Sequence, residues 1–329
     1  MMKIKLSHLL KSAVITTGLF LANSFALNAQ DDTGKNLEIV ENVIENIQAQ
    51  YPIEDTANEL NSALSKFANS PGFADLDEAS FLEEMNAVMK EASNDLHLRI
   101  ATAEAVEQRM SRAGGRRTPT MRRVARGQAY QPLGTSKVRA EMLNERTGLI
   151  DFDSAIYRNP DLFADALDAV ASADNIVLDL RGVPGGSVPG VAYFLSQFYA
   201  EPTHLSSRYS RRFDRPQELW TVETPHSKVF ADKNLYVLTN KRSASGAEAV
   251  AFALRNSGRA TLVGEKTAGA GNAGAFVDVG EGLMLFLPIS QTIDPKTGKA
   301  WEATGVMPHV EVPADEALDA ALELISRST

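Results

Sequence analysis

Leu235-Tyr236-Val237-Leu238-Thr239-Asn240-Lys241-Arg242-Ser243-Ala244-Ser245-Gly246-Ala247-Glu248-Ala249-Val250-Ala251-Phe252-Ala253-Leu254-Arg255-Asn256-Ser257-Gly258 reads as strand, tight turn and helix. The first five residues are apolar, β-branched or aromatic, the pattern of a buried strand. Ala247, Val250, Ala251 and Leu254 then recur at i, i+3, i+4 and i+7, one face of a helix that Gly258 can end. Ser245 falls at the start of that helix, where free N–H groups and the helix dipole favour negative charge. Gly246 allows a close or strained backbone. Two readings stay open from this stretch alone. Ser245-Gly246-Ala247-Glu248 is S-x-x-E, an ordinary capping box. The alternative is a site where a serine nucleophile could work, a reading that depends on what the rest of the chain brings to this turn. The G-x-S-x-G elbow is excluded, because Ser243 and Ala247 occupy the glycine positions.

Working outward, strands and helices alternate on both sides. Upstream lie a strand pair at 138–153, a helix at 161–171, a buried strand at 175–180, a glycine-rich loop at 181–187 and a helix at 191–199. Leu205 to Val222 is mostly polar and partly strand-like. Downstream come a strand at 260–263, a loop at 264–274, a strand pair over 276–288 and a last helix at 315–326. This alternation predicts an α/β core from about residue 94 to 329. Before it, Leu37, Val40, Ile44 and Ile47, then Leu60, Leu64 and Phe67, then Phe81, Met85, Val88 and Met89 repeat at helical spacing. They predict a small helical domain over 37–93.

With 329 residues, 44% of them hydrophobic, the chain can bury a sizeable core. A net charge of −9 gives no footing for nucleic acid, and the absence of cysteine excludes disulfides and thiolate metal sites. Lys3, Lys5 and Lys11 precede an apolar run, and Ser24-Phe25-Ala26 or Leu27-Asn28-Ala29 ends in a small residue. That order predicts a cleaved secretory signal over 1–29, hence a periplasmic or extracellular protein; an uncleaved anchor is the weaker alternative, because the run is short for a bilayer. Seven arginines between Arg109 and Arg126, with Gly114-Gly115, predict a flexible surface insert over about 109–130 that trypsin should cut first. An anion- or substrate-binding lid is the alternative.

Gly269-Ala270-Gly271-Asn272-Ala273-Gly274 fits G-x-G-x-x-G, but a strand follows it where a dinucleotide fold needs a helix. Gly182-Val183-Pro184-Gly185-Gly186 lies between strand and helix without the lysine of a phosphate loop. It is a tight turn or a source of oxyanion-binding N–H groups. His97 sits in a turn beside an acid, and no H-x-x-x-H pair exists to hold zinc. No cofactor or metal is expected.

Asp95-Leu96-His97, Asp179-Leu180-Arg181-Gly182-Val183-Pro184-Gly185-Gly186, Ser243-Ala244-Ser245-Gly246-Ala247-Glu248, Val263-Gly264-Glu265-Lys266-Thr267 and Trp301-Glu302-Ala303-Thr304-Gly305-Val306-Met307-Pro308 occur in that order. In these the chain resembles the tail-specific, or C-terminal-processing, serine peptidases, in the branch with interphotoreceptor retinoid-binding protein and the tricorn protease core. The resemblance covers about residues 38–325. It implies a Clp/crotonase-like α/β core with a small N-terminal helical domain. It implies Ser245 as nucleophile, and an oxyanion hole from the N–H of Gly246 with one of Gly185 and Gly186. The processing-protease branch takes its base from a lysine where this chain has Ala270, and Lys266 lies four residues early. The tricorn-like branch implies His97 as base and Glu302 as its orienting carboxylate. Pro308-His309 stands where the family has P-D, and no PDZ module is visible between His97 and Asp179. The function so implied is an endopeptidase acting on peptides or proteins through an acyl-enzyme. The alternative on the same fold is a non-catalytic protein that binds an apolar ligand or peptide. Oligomeric state is not legible.

Overall fold

A computed structural model describes residues 33–112, 129–130, 138–152 and 154–328. The expected signal segment and most of the arginine-rich insert lie outside the described residues.

Three helices open the chain: α1 (33–50), α2 (Glu54–Ala68) and α3 (Glu78–Ser93). Pro52 separates the first two, and Asp77 caps α3 by accepting from the Ser80 N–H at 2.8 Å. Their apolar stripes supply Val43, Ile47, Leu60, Leu64, Phe81, Met85 and Met89, all fully buried. The same core takes in Leu98, Ile100, Val277, Val279, Leu283, Leu285 and Leu287 from an antiparallel sheet. The helices therefore roof that sheet.

The roofed sheet contains β1 (Arg99–Thr102), β2 (Ala129–Tyr130), β6 (His204–Tyr209), β7 (Gln217–Trp220), β10 (Asn272–Gly280) and β11 (Leu283–Ile293). Its order is β2-β10-β11-β6-β7, with β1 also paired to β11. Helix α4 (Ala103–Arg112) follows β1 directly and takes in Arg109–Arg112, which the sequence places in an irregular insert. On this helix Val106 is buried against Phe276 and Met284, which anchors its first turns to the sheet.

The second sheet has the order β12-β9-β8-β5-β4-β3, from β3 (Val138–Asn144), β4 (Thr147–Phe152), β5 (Asn175–Asp179), β8 (Asn234–Thr239), β9 (Ala260–Gly264) and β12 (Val310–Glu311). Every pairing is parallel except β3 with β4. The period of two splits its side chains between faces. Ile176, Leu178, Leu235, Val237 and Leu262 pack with α5 (Pro160–Asp168), α6 (Val188–Leu195) and α8 (Gly246–Asn256). Val177, Tyr236, Leu238 and Val263 pack under α9 (Ala317–Arg327). A one-turn helix, α7 (Ser227–Phe230), completes the set. The α/β core is as expected. Among the described residues, no helix is long and apolar enough to cross a membrane.

Candidate active site

β5 and β8 are adjacent and parallel, so the loops that leave their carboxyl ends meet, the usual place for a site in such a sheet. The two loops are stitched together. Ser243 Oγ donates to the Leu180 carbonyl at 2.7 Å, and the Ala244 N–H to the Val183 carbonyl at 3.1 Å. Ser243, fully buried, thus serves the turn. Ser245 stays partly open at the N-terminus of α8, with φ 52° and ψ −110°. Few non-glycine residues hold such a backbone, and it costs about 1–3 kcal/mol, so the surroundings must impose it.

The neighbouring glycines show what imposes it. A Cβ on Gly246 would lie 2.6 Å from the Gly186 nitrogen. Gly185, at φ 148°, faces Ser245 so closely that a Cβ there would meet the serine Cβ at 3.3 Å and Oγ at 3.6 Å. Gly186 is pinned in turn by Ile156, whose N–H donates to the Gly185 carbonyl at 2.8 Å and whose carbonyl accepts from Ser187 at 2.9 Å. Three glycines and one serine are in close contact here, with backbone N–H groups at the head of a helix.

Glu248 makes one half of the capping box, accepting the Ser245 N–H at 2.8 Å. It does more than a cap requires. Wholly buried, it also accepts from Thr267 Oγ1 at 2.5 Å and from the N–H groups of Gly269 at 2.6 Å and Ala270 at 2.8 Å. The sequence reading gave Glu248 only the role of a cap. A signal was present: the helix is apolar nearly all round, leaving a carboxylate no solvent face.

His97 lies in the turn between α3 and β1. Asp95, 2% exposed, fixes that turn by accepting the N–H groups of His97 at 2.8 Å and Leu98 at 3.3 Å on one oxygen. Its other oxygen accepts from Tyr51 Oη at 2.9 Å and Asn272 Nδ2 at 2.8 Å. The imidazole stacks on Phe286, ring centroids 5.5 Å apart. Glu302 arrives from the segment after β11, held by the N–H groups of Gly271 and Asn272, both 2.6 Å from Oε2. One side-chain donor atom from each of Asp95, His97 and Glu302 falls within 4.8 Å of the others. His97 Nδ1 and Glu302 Oε1 are buried and carry no hydrogen bond. These three side chains are where a cation could be held, but Asp95 already accepts four hydrogen bonds, which leaves only two free donor atoms.

Burial pushes the His97 imidazole down to about 4, against the pull of Asp95 and with a further push from Arg99. Burial, and the charge of Asp95 behind it, pushes the Glu302 carboxyl up to about 7 despite its two N–H donors. Each group is held toward its neutral form, so a single proton in the pair rests on Glu302 and leaves the imidazole neutral.

Of the expected residues, the structure brings Ser245, Gly246, Gly185 and Gly186 into one group and His97 with Glu302 into another. His97 makes no hydrogen bond to Ser245. The groups are joined through residues 267–272, which contact Glu248 on one side and Glu302 on the other. The other described histidines are engaged elsewhere: His204 stacks on Trp220, His226 pairs with Asp168 at 2.8 Å, and His309 Nδ1 accepts the Leu262 N–H at 2.9 Å. Lys266 is exposed, and Ala270 is buried. A cleft of about 560 Å³ opens beside the two loops, with Arg181, Gly182, Asn240, Arg242 and Asp315 on its walls.

A carboxyl-terminal-processing protease of Synechocystis sp. is 30% identical over 166 residues, 47% of this chain and 37% of the relative. The chain thus matches little more than a third of that relative's length. Two solved structures share the fold. One is a photosystem II D1 C-terminal processing protease, with TM-score 0.55 and 15% identity over 85% of this chain and 93% of the other. The other is the tricorn protease, with TM-score 0.54 and 13% identity over 89% of this chain and 37% of the other. Residues 146–312, just over half of the 329, match the model of peptidase family S41, and the chain belongs to that family.

Proposed function

We propose that the chain is a serine endopeptidase of peptides or proteins, exported by a signal over residues 1–29 to the periplasm or the medium. One observation carries the reading. Ser245 is held at φ 52° at the head of α8 against a glycine pair, while His97, whose buried Nδ1 has no partner, brings a ring nitrogen within 4.8 Å of carboxylate oxygens of Asp95 and Glu302.

In this reading neutral His97 takes the hydroxyl proton of Ser245 as Oγ attacks the scissile carbonyl. The oxyanion so formed is met by the Gly246 N–H and an N–H of the Gly185-Gly186 pair, aided by the dipole of α8. Glu302 Oε1 accepts from the second ring nitrogen and stabilises the imidazolium. The intermediate collapses as His97 gives its proton to the leaving amine, which leaves an acyl group on Ser245. Water, deprotonated by His97, then releases the acid and restores the serine. His97 must reach Ser245 for this, and such contacts commonly tighten only around substrate.

The missing His97–Ser245 hydrogen bond favours a second reading, a binding protein in which Ser245 is only a helix cap. A fluorophosphonate probe separates the two. Covalent labelling of the purified protein, abolished in Ser245→Ala, is expected for the enzyme. An unlabelled, folded protein would leave the binding reading.

A further inference from the structure

The stretch Gly269–Gly274, unsuited to a dinucleotide, is put to a different use. Between Thr267 and Asn272 six donors point at three carboxylates. Thr267 Oγ1 and the N–H groups of Gly269 and Ala270 reach Glu248 at 2.5, 2.6 and 2.8 Å. The N–H groups of Gly271 and Asn272 reach Glu302 at 2.6 Å each, and Asn272 Nδ2 reaches Asp95 at 2.8 Å. The three acids come from α8, from the segment after β11 and from the turn before β1. Four consecutive backbone N–H groups, each spent on a carboxylate, form an anion-binding concavity whose anions are the protein's own side chains. The segment also touches the nucleophile turn directly, since the Ala268 N–H donates to the Ser243 carbonyl at 3.0 Å.

We infer that residues 267–272 are a carboxylate clamp that holds the nucleophile turn, the base turn and the orienting acid in register, and that Asn272 is a positioning residue of the base. The inference rests on the Ser245–His97–Glu302 reading. Asn272 alone touches two of the three acids, through its backbone and its side chain. Gly271 must remain glycine, because a Cβ there would lie 2.7 Å from the Glu302 nitrogen and 3.2 Å from its Cα. The groups that face Glu302 are Asp95 and His97 from the base turn, Glu248 from α8 and Tyr51 from the end of α1, with Arg99 beyond His97. Of these only Asp95 and Glu248 are carboxylates, and Tyr51 is a neutral phenol that donates to Asp95. Donors from the clamp therefore bear directly on how tightly the His97–Glu302 pair holds its proton.

The test measures the rate of Ser245 labelling by a fluorophosphonate against pH in the full chain, for wild type, Asn272→Asp and Gly271→Ala. Asn272→Asp keeps the side-chain size but puts a carboxylate where Asp95 expects a donor. The added negative charge raises the pair's proton affinity, so the acid limb should move up by about one pH unit and the rate at neutral pH should fall about 10- to 100-fold. Gly271→Ala should lose at least as much. Asn272→Ala, which removes only the donor, serves if either variant fails to fold, and should lose about 10-fold. In wild type the amide signals of Gly271 and Asn272 should titrate together, and Glu302→Gln should remove that titration. Labelled wild type with an unmoved profile in folded Asn272→Asp would overturn the positioning role alone. So would amides that ignore pH. Wild type that never labels would overturn the catalytic reading and the positioning role with it.

Discussion

At the scale of the residue, His97 and Glu302 share one problem. The reaction needs the imidazole neutral and the carboxyl ionised, and burial helps the first while opposing the second. His97 pushed down to about 4 and Glu302 pushed up to about 7 mean that the pair holds one proton between those values and none above the upper one. Only the proton-free pair is fully competent, so kcat/KM should rise with pH through about 7, a step that belongs to the pair and to neither residue alone. Glu302→Gln should remove that step, move the acid limb below pH 6 and cut activity roughly 10- to 10,000-fold. The same substitution bears on stability. A raised carboxyl pKa contributes stability that is present below the unfolded value and lost as pH rises through the folded one. At pH 8 Glu302→Gln should therefore unfold at the same or higher denaturant concentration, by up to about 3 kcal/mol. Greater loss of stability at pH 8 than at pH 5 would contradict the assignment. His97→Ala should inactivate as completely as Ser245→Ala, since members of such a unit are not additive, and Lys266→Ala should keep most activity.

At the scale of the element, the strained turn before α8 is held from three sides: by the glycine pair, by Ser243 and by Glu248. Gly246→Ala drives a methyl into the Gly186 nitrogen. It should cost about 1–3 kcal/mol in denaturant unfolding and slow probe labelling about 100- to 1,000-fold, as the oxyanion N–H groups separate. Glu248→Leu is more severe for the fold. It leaves four donors without an acceptor, three of them buried, and should destabilise by about 3–5 kcal/mol. A Glu248→Leu chain with wild-type stability would mean the four contacts are dispensable.

At the scale of the whole molecule, the helical roof is part of the site. Tyr51 Oη donates to Asp95 from the turn that ends α1, and burial next to that carboxylate raises the phenol's own pKa. Tyr51→Phe should lose about 1.5–3 kcal/mol, the worth of a hydrogen bond to a charged group. Removing residues 1–93 would bare Val277, Val279, Leu283, Leu285 and Leu287, which the helices now cover. The truncated chain should aggregate, and a soluble, probe-reactive 94–329 fragment would show that the sheet needs no roof.

Much of this was legible along the chain because it is local. A buried parallel strand, an amphipathic helix and a helix N-terminus are specified within about twenty residues, so the turn at Ser245, the glycine loop at Gly185-Gly186 and the three N-terminal helices could be placed from periodicity and turn chemistry. The resemblance added His97 and Glu302, 205 residues apart in the chain and within 4.8 Å of one another's cluster in the fold. What tertiary structure alone decided is what depends on which backbone N–H groups face a buried charge. A glycine-rich segment gives the same letters whether its amides bind a phosphate, water or the protein's own acids. Glu248 looks like a cap until four donors converge on it, and Tyr51 looks like a helix end until its hydroxyl meets Asp95. Folding brings together hydrogen-bonding groups from distant segments, and sequence records the groups but not their partners.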